Sequence, residues 1–403
     1  MKIGIISNLY PPYQRGGAEN VVVRTVESLV NMGHDVFVIS GRPRKETNQI
    51  DFDKNTAERI YRFFPPNVYF LLDDHKYMWP IRLVWHVIDT LSGFGKRRIG
   101  NILDNEEPDI VITHNLKGIG LRIPQAIQSR NIPHVHVMHD LQLVIPSGLV
   151  IAGKEKLSIF SKASYKVYQA LCKWAFGLPN LVLFPSNFLL DYYKKNNFFG
   201  KSDCVVMQNP APDFKPTARA RRTPGPLRLL FVGQLESHKG IEFLMNAYEK
   251  LSFPAQLIIA GEGTMRDEVR RRAKLDKSVS YLGYISTSQL VNCLGVVDAV
   301  VVPSLCYENS PTVIYEALEA GIPVLASDIG GVGELVQDGR NGFLFKPGSQ
   351  ESFIEKMEVM DSKKEIFFRA QDDIARTVAP YALKIYTDAL VNKLKEVINS
   401  KKA

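Results

Sequence analysis

A chain of 403 residues, 45% hydrophobic and 23% charged, has room for two domains and the composition of a globular protein with a full core. It holds no run of 18 apolar residues, which argues against a membrane span. Its four cysteines are scattered and form no C-x-x-C pair, which argues against a zinc site or a disulfide framework and suits a reducing, cytoplasmic setting. The formal charge of +8 is uneven. Residues 1–226 carry 29 Lys and Arg against 19 Asp and Glu, and the remainder carries 21 against 23. The basic half suits an acidic substrate, an anionic lipid surface or nucleic acid. Nucleic acid is disfavoured because the basic residues are dispersed over several helices.

Residues 1–7 (MKIGIIS) read as a buried first strand and not as a signal peptide. A Pro- and Gly-rich loop follows, then a helix with Val22, Val26, Leu29 and Val30 on one face. Strands are predicted at 35–40, 59–64, 109–113, 134–139, 181–186 and 204–207, with a helical pattern over 80–91. Strand and helix alternate, and the connections are too long for hairpins. A doubly wound parallel sheet is the expectation.

Near Asn209 the pattern breaks in NPAPDFKPTARARRTPGP, which reads as a linker. Strands are then expected near 227–233, 256–260, 279–283, 298–303, 323–326 and 343–345. Helices are expected near 240–251, 264–275, 286–295, 310–320, 331–337 and 349–359. The expected domains are 1–212 and 213–379, with a final helix in 380–403.

Several loops at strand ends carry chemistry. Gly16-Gly17 precedes a helix N-terminus, where a backbone can approach an anion. GQLESHKG (233–240) occupies the same place in the second half, and Lys239 could pair with a phosphate there. Glu308 is read onto the loop after a strand and Glu316 onto the next helix. Ser310 is the expected N-cap, Pro311 the first helical residue and Gly321 the helix stop. The two carboxylates suit either a hydrolase pair or a grip on vicinal hydroxyls, as on a sugar or ribose. Gly330-Gly331 repeats the glycine arrangement at the next strand end.

Other features weigh less. GEG (261–263) lacks the third glycine of a dinucleotide fingerprint, since position 266 is Arg266. Asp51-Phe52-Asp53 has the form of a metal-binding Asp-x-Asp, but no further ligand is evident. His139 and His114 each end a strand. The stretches 76–98 and 154–174 mix Trp79, Trp85, Trp174, Phe160, Tyr165 and Tyr168 with many Lys and Arg. Such segments suit a membrane surface, or are ordinary helices over the sheet.

The Glu-x7-Glu spacing of Glu308 and Glu316, the EALEAGIPVLASDIGG continuation, GQLESHKG and ISNLYPPYQRGGAEN together resemble a retaining GT-B glycosyltransferase of family 4. HDL (139–141), NPAPD (209–213) and DGRNGFLF (338–345) extend the likeness along the chain. The resemblance implies two Rossmann-like domains facing across a cleft, the first taking the acceptor and the second the nucleotide-sugar donor. It implies that the final helix returns to the first domain. It implies that Glu308 contacts donor sugar hydroxyls, Glu316 the ribose, and Lys239 the leaving diphosphate. Asn309, Ser310, Gln234, Gly330, Gly331 and the Gly16-Gly17 loop would complete the donor site, with His139 near the reacting sugar.

The implied cofactor is none: the donor is a substrate and no metal is needed. The implied acceptor is a saccharide or a polyprenyl-diphosphate-linked lipid, met at the cytoplasmic membrane face. One departure stands out. Gln234 occupies a position where the family commonly has arginine. Loss of that cation keeps open a non-catalytic nucleotide-sugar binder, and a nucleotide-sugar epimerase or hydrolase is a further alternative on the same fold.

Overall fold

The computed structural model describes residues 1–45, 50–52, 59–153, 159–212 and 225–402; the side chains of 50–52, 159–162 and 402 are outside the description. It divides into two compact units. The first contains residues 1–149, 157–208 and 383–403, and the second 150–156 and 209–382.

Among its described residues the first unit has eight strands: β1 (Lys2–Ser7), β2 (Asp35–Gly41), β3 (Ile50–Phe52), β4 (Arg59–Phe63), β5 (Ile110–Thr113), β6 (His134–Val137), β7 (Leu181–Phe184) and β8 (Asp203–Val206). Their order is β3-β4-β2-β1-β5-β6-β7-β8. All neighbours pair in parallel except β3, which runs antiparallel to β4 at the edge. The central strands are apolar at almost every position because helices cover both faces. Ile3, Ile5, Val38, Ile112, Val135 and Leu183 are buried together.

The last helix, Leu383–Lys402, belongs to this unit. It packs Tyr386, Leu390 and Leu394 into the same core, and each such side chain contributes roughly 1.5–3 kcal/mol. Thr387 Oγ1 also donates to Ser28 Oγ at 2.8 Å, which fixes the helix against Gly17–Asn31.

Among its described residues the second unit has six parallel strands: β9 (Leu227–Val232), β10 (Ala255–Ala260), β11 (Val279–Gly283), β12 (Ala299–Val302), β13 (Val324–Ser327) and β14 (Gly342–Phe345). They are ordered β11-β10-β9-β12-β13-β14. Leu229, Leu230, Val300, Leu325, Ile314 and Phe353 are buried at its centre.

The structure differs from the sequence expectation in several places. Residues 209–212 join the second unit instead of closing the first, because Asn209 Nδ2 donates to the Ser310 carbonyl and Ala211 N–H to the Tyr381 carbonyl. Residues 213–224 of the expected linker lie outside the described residues. The short segment 150–153 is also part of the second unit: Ile151 bridges Cys306, and Ala152 N–H donates to the Leu305 carbonyl. The helix expected over 331–337 is only a 3-10 turn, Val332–Glu334, since glycines at 330, 331 and 333 weaken a longer helix. The helix expected over 349–359 runs on to Arg369. Strand β3, three residues long, is an addition.

Candidate functional site

In each unit, chain order reverses direction at one point of the sheet, and the crevice at the carboxyl ends of the strands there is the ligand edge of such folds. In the second unit that point is between β9 and β12. The loop after β9 carries Gln234 and Lys239, and the loop after β12 carries Ser304, Glu308, Asn309 and Ser310. β13 is the next neighbour, and Gly330 and Gly331 follow it.

These loops are tied to one another by main-chain bonds. Leu305 N–H donates to the His238 carbonyl at 2.9 Å, joining the first two. Gly331 N–H donates to the Glu308 carbonyl at 2.8 Å, joining the second and third. Gly330 has φ +63, and a Cβ there would lie 2.1 Å from the Glu308 carbonyl oxygen. Only glycine permits that approach. The Gly331 amide therefore serves the contact between loops.

At this junction Lys239 Nζ lies 2.5 Å from Glu308 Oε1, and Ser304 Oγ donates to the same oxygen at 2.7 Å. Burial works against the Lys239 charge, but the adjoining Glu308 carboxylate outweighs it and the lysine pKa is raised. The site thus presents a firmly protonated cation and an oriented carboxylate side by side.

Glu316 lies in helix Thr312–Glu319, buried among Ile314, Tyr315, Ala317 and Leu318. The helix begins one residue later than expected. Pro311 is its N-cap, and the Ser310 hydroxyl pairs with Tyr315 OH at 2.7 Å instead of capping. Its end follows expectation. Gly321, at φ +69, donates to the Leu318 carbonyl and Ile322 to that of Ala317, a Schellman pattern.

In the first unit the reversal is between β1 and β5. Gly16 caps the helix Gly17–Asn31 in extended conformation, and its N–H donates to Glu19 Oε2 at 2.8 Å. One amide of that helix start is thereby satisfied by the chain itself. Burial raises the Glu19 pKa against several backbone hydrogen bonds that lower it.

After β5 and β6 stand His114 and His139, which the sequence placed at two separate strand ends. The structure couples them: His114 Nδ1 is 2.9 Å from His139 Nε2, with the rings stacked at 5.2 Å. Burial lowers the His139 pKa to about 4 and drives that of His114 well below the ordinary value. A neutral pair at pH 7 follows, one ring donating and the other accepting. Beneath it, Thr113 Oγ1 bonds both His134 Nε2 (2.8 Å) and His136 Nδ1 (2.7 Å).

Three further groups escaped the sequence reading. Ser304, just past β12, braces Glu308. Asp89 is buried, accepts from Gly118 N–H at 2.9 Å and has its pKa raised by burial to about 7. Burial lowers the Lys117 pKa despite the nearby Asp140 and Asp89. Being the one carboxylate in helix Trp79–Leu91 is the sequence signal that Asp89 offered. Of the Asp-x-Asp, the Asp51 side chain and all of Asp53 lie outside the described residues. Trp85, which the sequence leaves open between a membrane surface and an ordinary helix over the sheet, is core: its indole Nε1 donates to the Tyr69 carbonyl at 2.9 Å.

Comparison with known proteins agrees with this fold. Residues 15–212 match the model of Glycosyltransferase Family 4, and residues 226–360 that of Glycosyl transferases group 1. The chain is 28% identical to an uncharacterized 42.6 kDa protein in the cps region of Klebsiella pneumoniae, covering 91% of this chain and 96% of that one. It is 27% identical to glycogen synthase of Mycobacterium tuberculosis, over 86% of this chain and 83% of that one. Among solved structures, Anabaena HepE in complex with UDP superposes with a TM-score of 0.67 at 17% identity, covering 98% of this chain and 100% of that one. That last likeness concerns the fold, which is GT-B.

Proposed function

From a chain that belongs to the group 1, family 4 glycosyltransferases, we propose a specific reaction: transfer of a sugar from a nucleoside-diphosphate donor to a saccharide or lipid-linked acceptor, with retention and without a metal ion. The observation that carries this reading is the Lys239–Glu308 pair at the β9/β12 reversal.

Breaking the donor's C1–O bond leaves a nucleoside diphosphate whose growing charge must be stabilised. Lys239 is protonated and partly sheltered from water, so its charge acts at greater strength than on an open surface. It stands one residue ahead of the N-terminal segment of helix Ile241–Tyr248, which favours an anion. Glu308 accepts hydrogen bonds from donor sugar hydroxyls, and Glu316 from the ribose. The acceptor hydroxyl forms the new bond on the face the phosphate leaves, and its proton passes to the departing phosphate oxygen. His139, held by His114, is the group of the first unit that the family resemblance assigns to the reacting sugar.

Uridine diphosphate is the first nucleotide to test, because HepE, of the same fold, was solved with it. The experiment is a donor thermal shift with UDP, GDP, ADP and their sugars, with and without EDTA. A stabilising shift unaffected by EDTA is expected. A shift that requires a divalent metal would overturn the metal-free mechanism.

A further inference from the structure

Glu308 is held by two donors of different kinds, and both reach the same oxygen. Lys239 Nζ lies 2.5 Å and Ser304 Oγ 2.7 Å from Oε1. Neither engages Oε2.

The two donors differ in how far they can move. Lys239 carries its charge on a flexible four-carbon stem. Ser304 has a single rotatable bond before its oxygen, and its main chain is fixed. It stands two residues beyond β12 and is 2% exposed. The next two residues, Leu305 and Cys306, both donate their N–H to the His238 carbonyl, at 2.9 and 3.2 Å. Cys306 also bridges Ile151. The serine is thus clamped between the strand end and the loop that carries the lysine.

A bound diphosphate sets these donors apart. Its oxygens offer the Lys239 ammonium charge and several acceptors at once, and each bond made there weakens the lysine's hold on Glu308. The Glu308 side chain is only 13% exposed. A carboxylate so placed that lost its donors would turn to water or take up a proton.

We propose that Ser304 is a positioning residue of the donor complex: it keeps Oε1 of Glu308 when Lys239 turns to the diphosphate, so that Oε2 stays available to the sugar hydroxyls. In the free protein its bond duplicates that of the lysine. With a donor bound it is the bond that remains. The inference rests on the reading of Lys239 and Glu308 as contacts of a nucleoside-diphosphate sugar, and it gives Ser304 no contact with the donor.

The mark of this role is that it depends on the lysine. A serine that only fills space at the end of β12 matters equally whether Lys239 is engaged or not. Lys239→Ala imitates the donor-bound state without any ligand. Ser304→Ala alone should leave the melting temperature near that of wild type, since Lys239 still holds Oε1. Added to Lys239→Ala, it should lower the melting temperature by about 2–4 °C more than the sum of the two separate effects.

The second readout is calorimetric titration of UDP-glucose, GDP-mannose and ADP-glucose beside UDP, GDP and ADP. For the pair that binds wild type most tightly, the ratio of the two affinities isolates the sugar. Ser304→Ala should lower that ratio by about tenfold, the loss of one charge-assisted hydrogen bond, and leave the bare nucleotide's affinity unchanged.

Additive melting temperatures overturn the proposal. So does a Ser304→Ala protein that keeps the full preference for the sugar, or that loses nucleotide and sugar nucleotide by the same factor. No binding of any of the six ligands defeats the donor reading, and the inference with it. Nucleotide binding together with additive melting temperatures defeats the inference alone.

Discussion

Lys239 Nζ and Glu308 Oε1 lie 2.5 Å apart, across 69 residues of sequence and two neighbouring loops of one sheet edge. Each is the other's counter-charge, and Ser304 fixes which oxygen of Glu308 faces the lysine. A bound donor would draw the two towards opposite ends of itself, the cation to the diphosphate and the carboxylate to the sugar. Glu308→Gln keeps the shape and removes the charge. Its kcat/KM should fall by about 10- to 150-fold, the equivalent of one charge-assisted hydrogen bond. Lys239→Ala should do more, since it also leaves the partly buried carboxylate without its cation. A loss of about 1–3 kcal/mol in unfolding free energy is expected beside the loss of turnover. Steady-state kinetics and denaturant titration of both variants check this, and unchanged kinetics in Lys239→Ala would remove the lysine from the mechanism.

Gly330 gives a backbone test of the same junction. Alanine there meets two obstacles, a left-handed φ of +63 and a Cβ 2.1 Å from the Glu308 carbonyl oxygen. Gly339 has a similar φ of +78 with nothing within 4 Å of the added carbon. Gly339→Ala should cost about 1–2 kcal/mol from φ alone, with donor binding intact. Gly330→Ala should cost more and displace the loop that holds Glu308. Calorimetric titration with the nucleoside diphosphate separates the two, and equal donor affinity in both variants would disconnect Gly330 from the site.

The contrast between strands and contacts explains what the sequence could and could not disclose. Runs such as LRLLFVG and AVVVP are apolar because both faces of a parallel strand are covered, so their place is legible residue by residue. The burial of Glu316 was legible in the same way, from Ile314, Tyr315, Ala317 and Leu318 around it. The pairing of Lys239 with Glu308, or His114 with His139, depends on which strands become neighbours, and no local pattern encodes that. Ser310 failed as a cap because Tyr315 OH, five residues on in helix Thr312–Glu319, took its hydroxyl. The sequence leaves Trp85 open between surface and core because apolar residues fall on both sides of its helix, which hides which side faces in.

Acid should destabilise the fold through its histidines. Burial lowers the pKa of His134 to about 3 and of His86 and His139 to about 4, below the 6.5 of an open chain. Their contribution is complete above pH 6.5 and is lost as pH falls towards 4. Asp89 and Asp140, raised by burial to about 7 and about 6, act in the opposite sense: their contribution is present below about pH 4 and is lost as pH rises through 6–7. With more histidines than carboxyls shifted, the melting temperature should be lower at pH 5 than at pH 7. Asp89→Asn keeps an acceptor for Gly118 N–H and removes one opposing group. Its melting temperature should fall more steeply than wild type between pH 7 and 5, and its advantage over wild type should be largest at pH 8. A wild-type melting temperature that rises on acidification to pH 5 would contradict the histidine assignment.

Gln234 stands two residues after β9, half-buried, in the loop that also carries Lys239. A neutral amide there leaves the diphosphate with fewer fixed cations than a guanidinium would supply. If the diphosphate rests against this loop, Gln234→Arg adds a charge-assisted contact worth about 1.5–3 kcal/mol, or about 10- to 150-fold in affinity. The gain should appear with UDP and vanish with uridine, because only the former carries the phosphates. It should also shrink as salt rises, since the loop is partly open to solvent. Titration calorimetry of wild type and variant with both ligands measures the difference. An equal effect on UDP and uridine would move the phosphates away from Gln234, and with them the anion role given to Lys239.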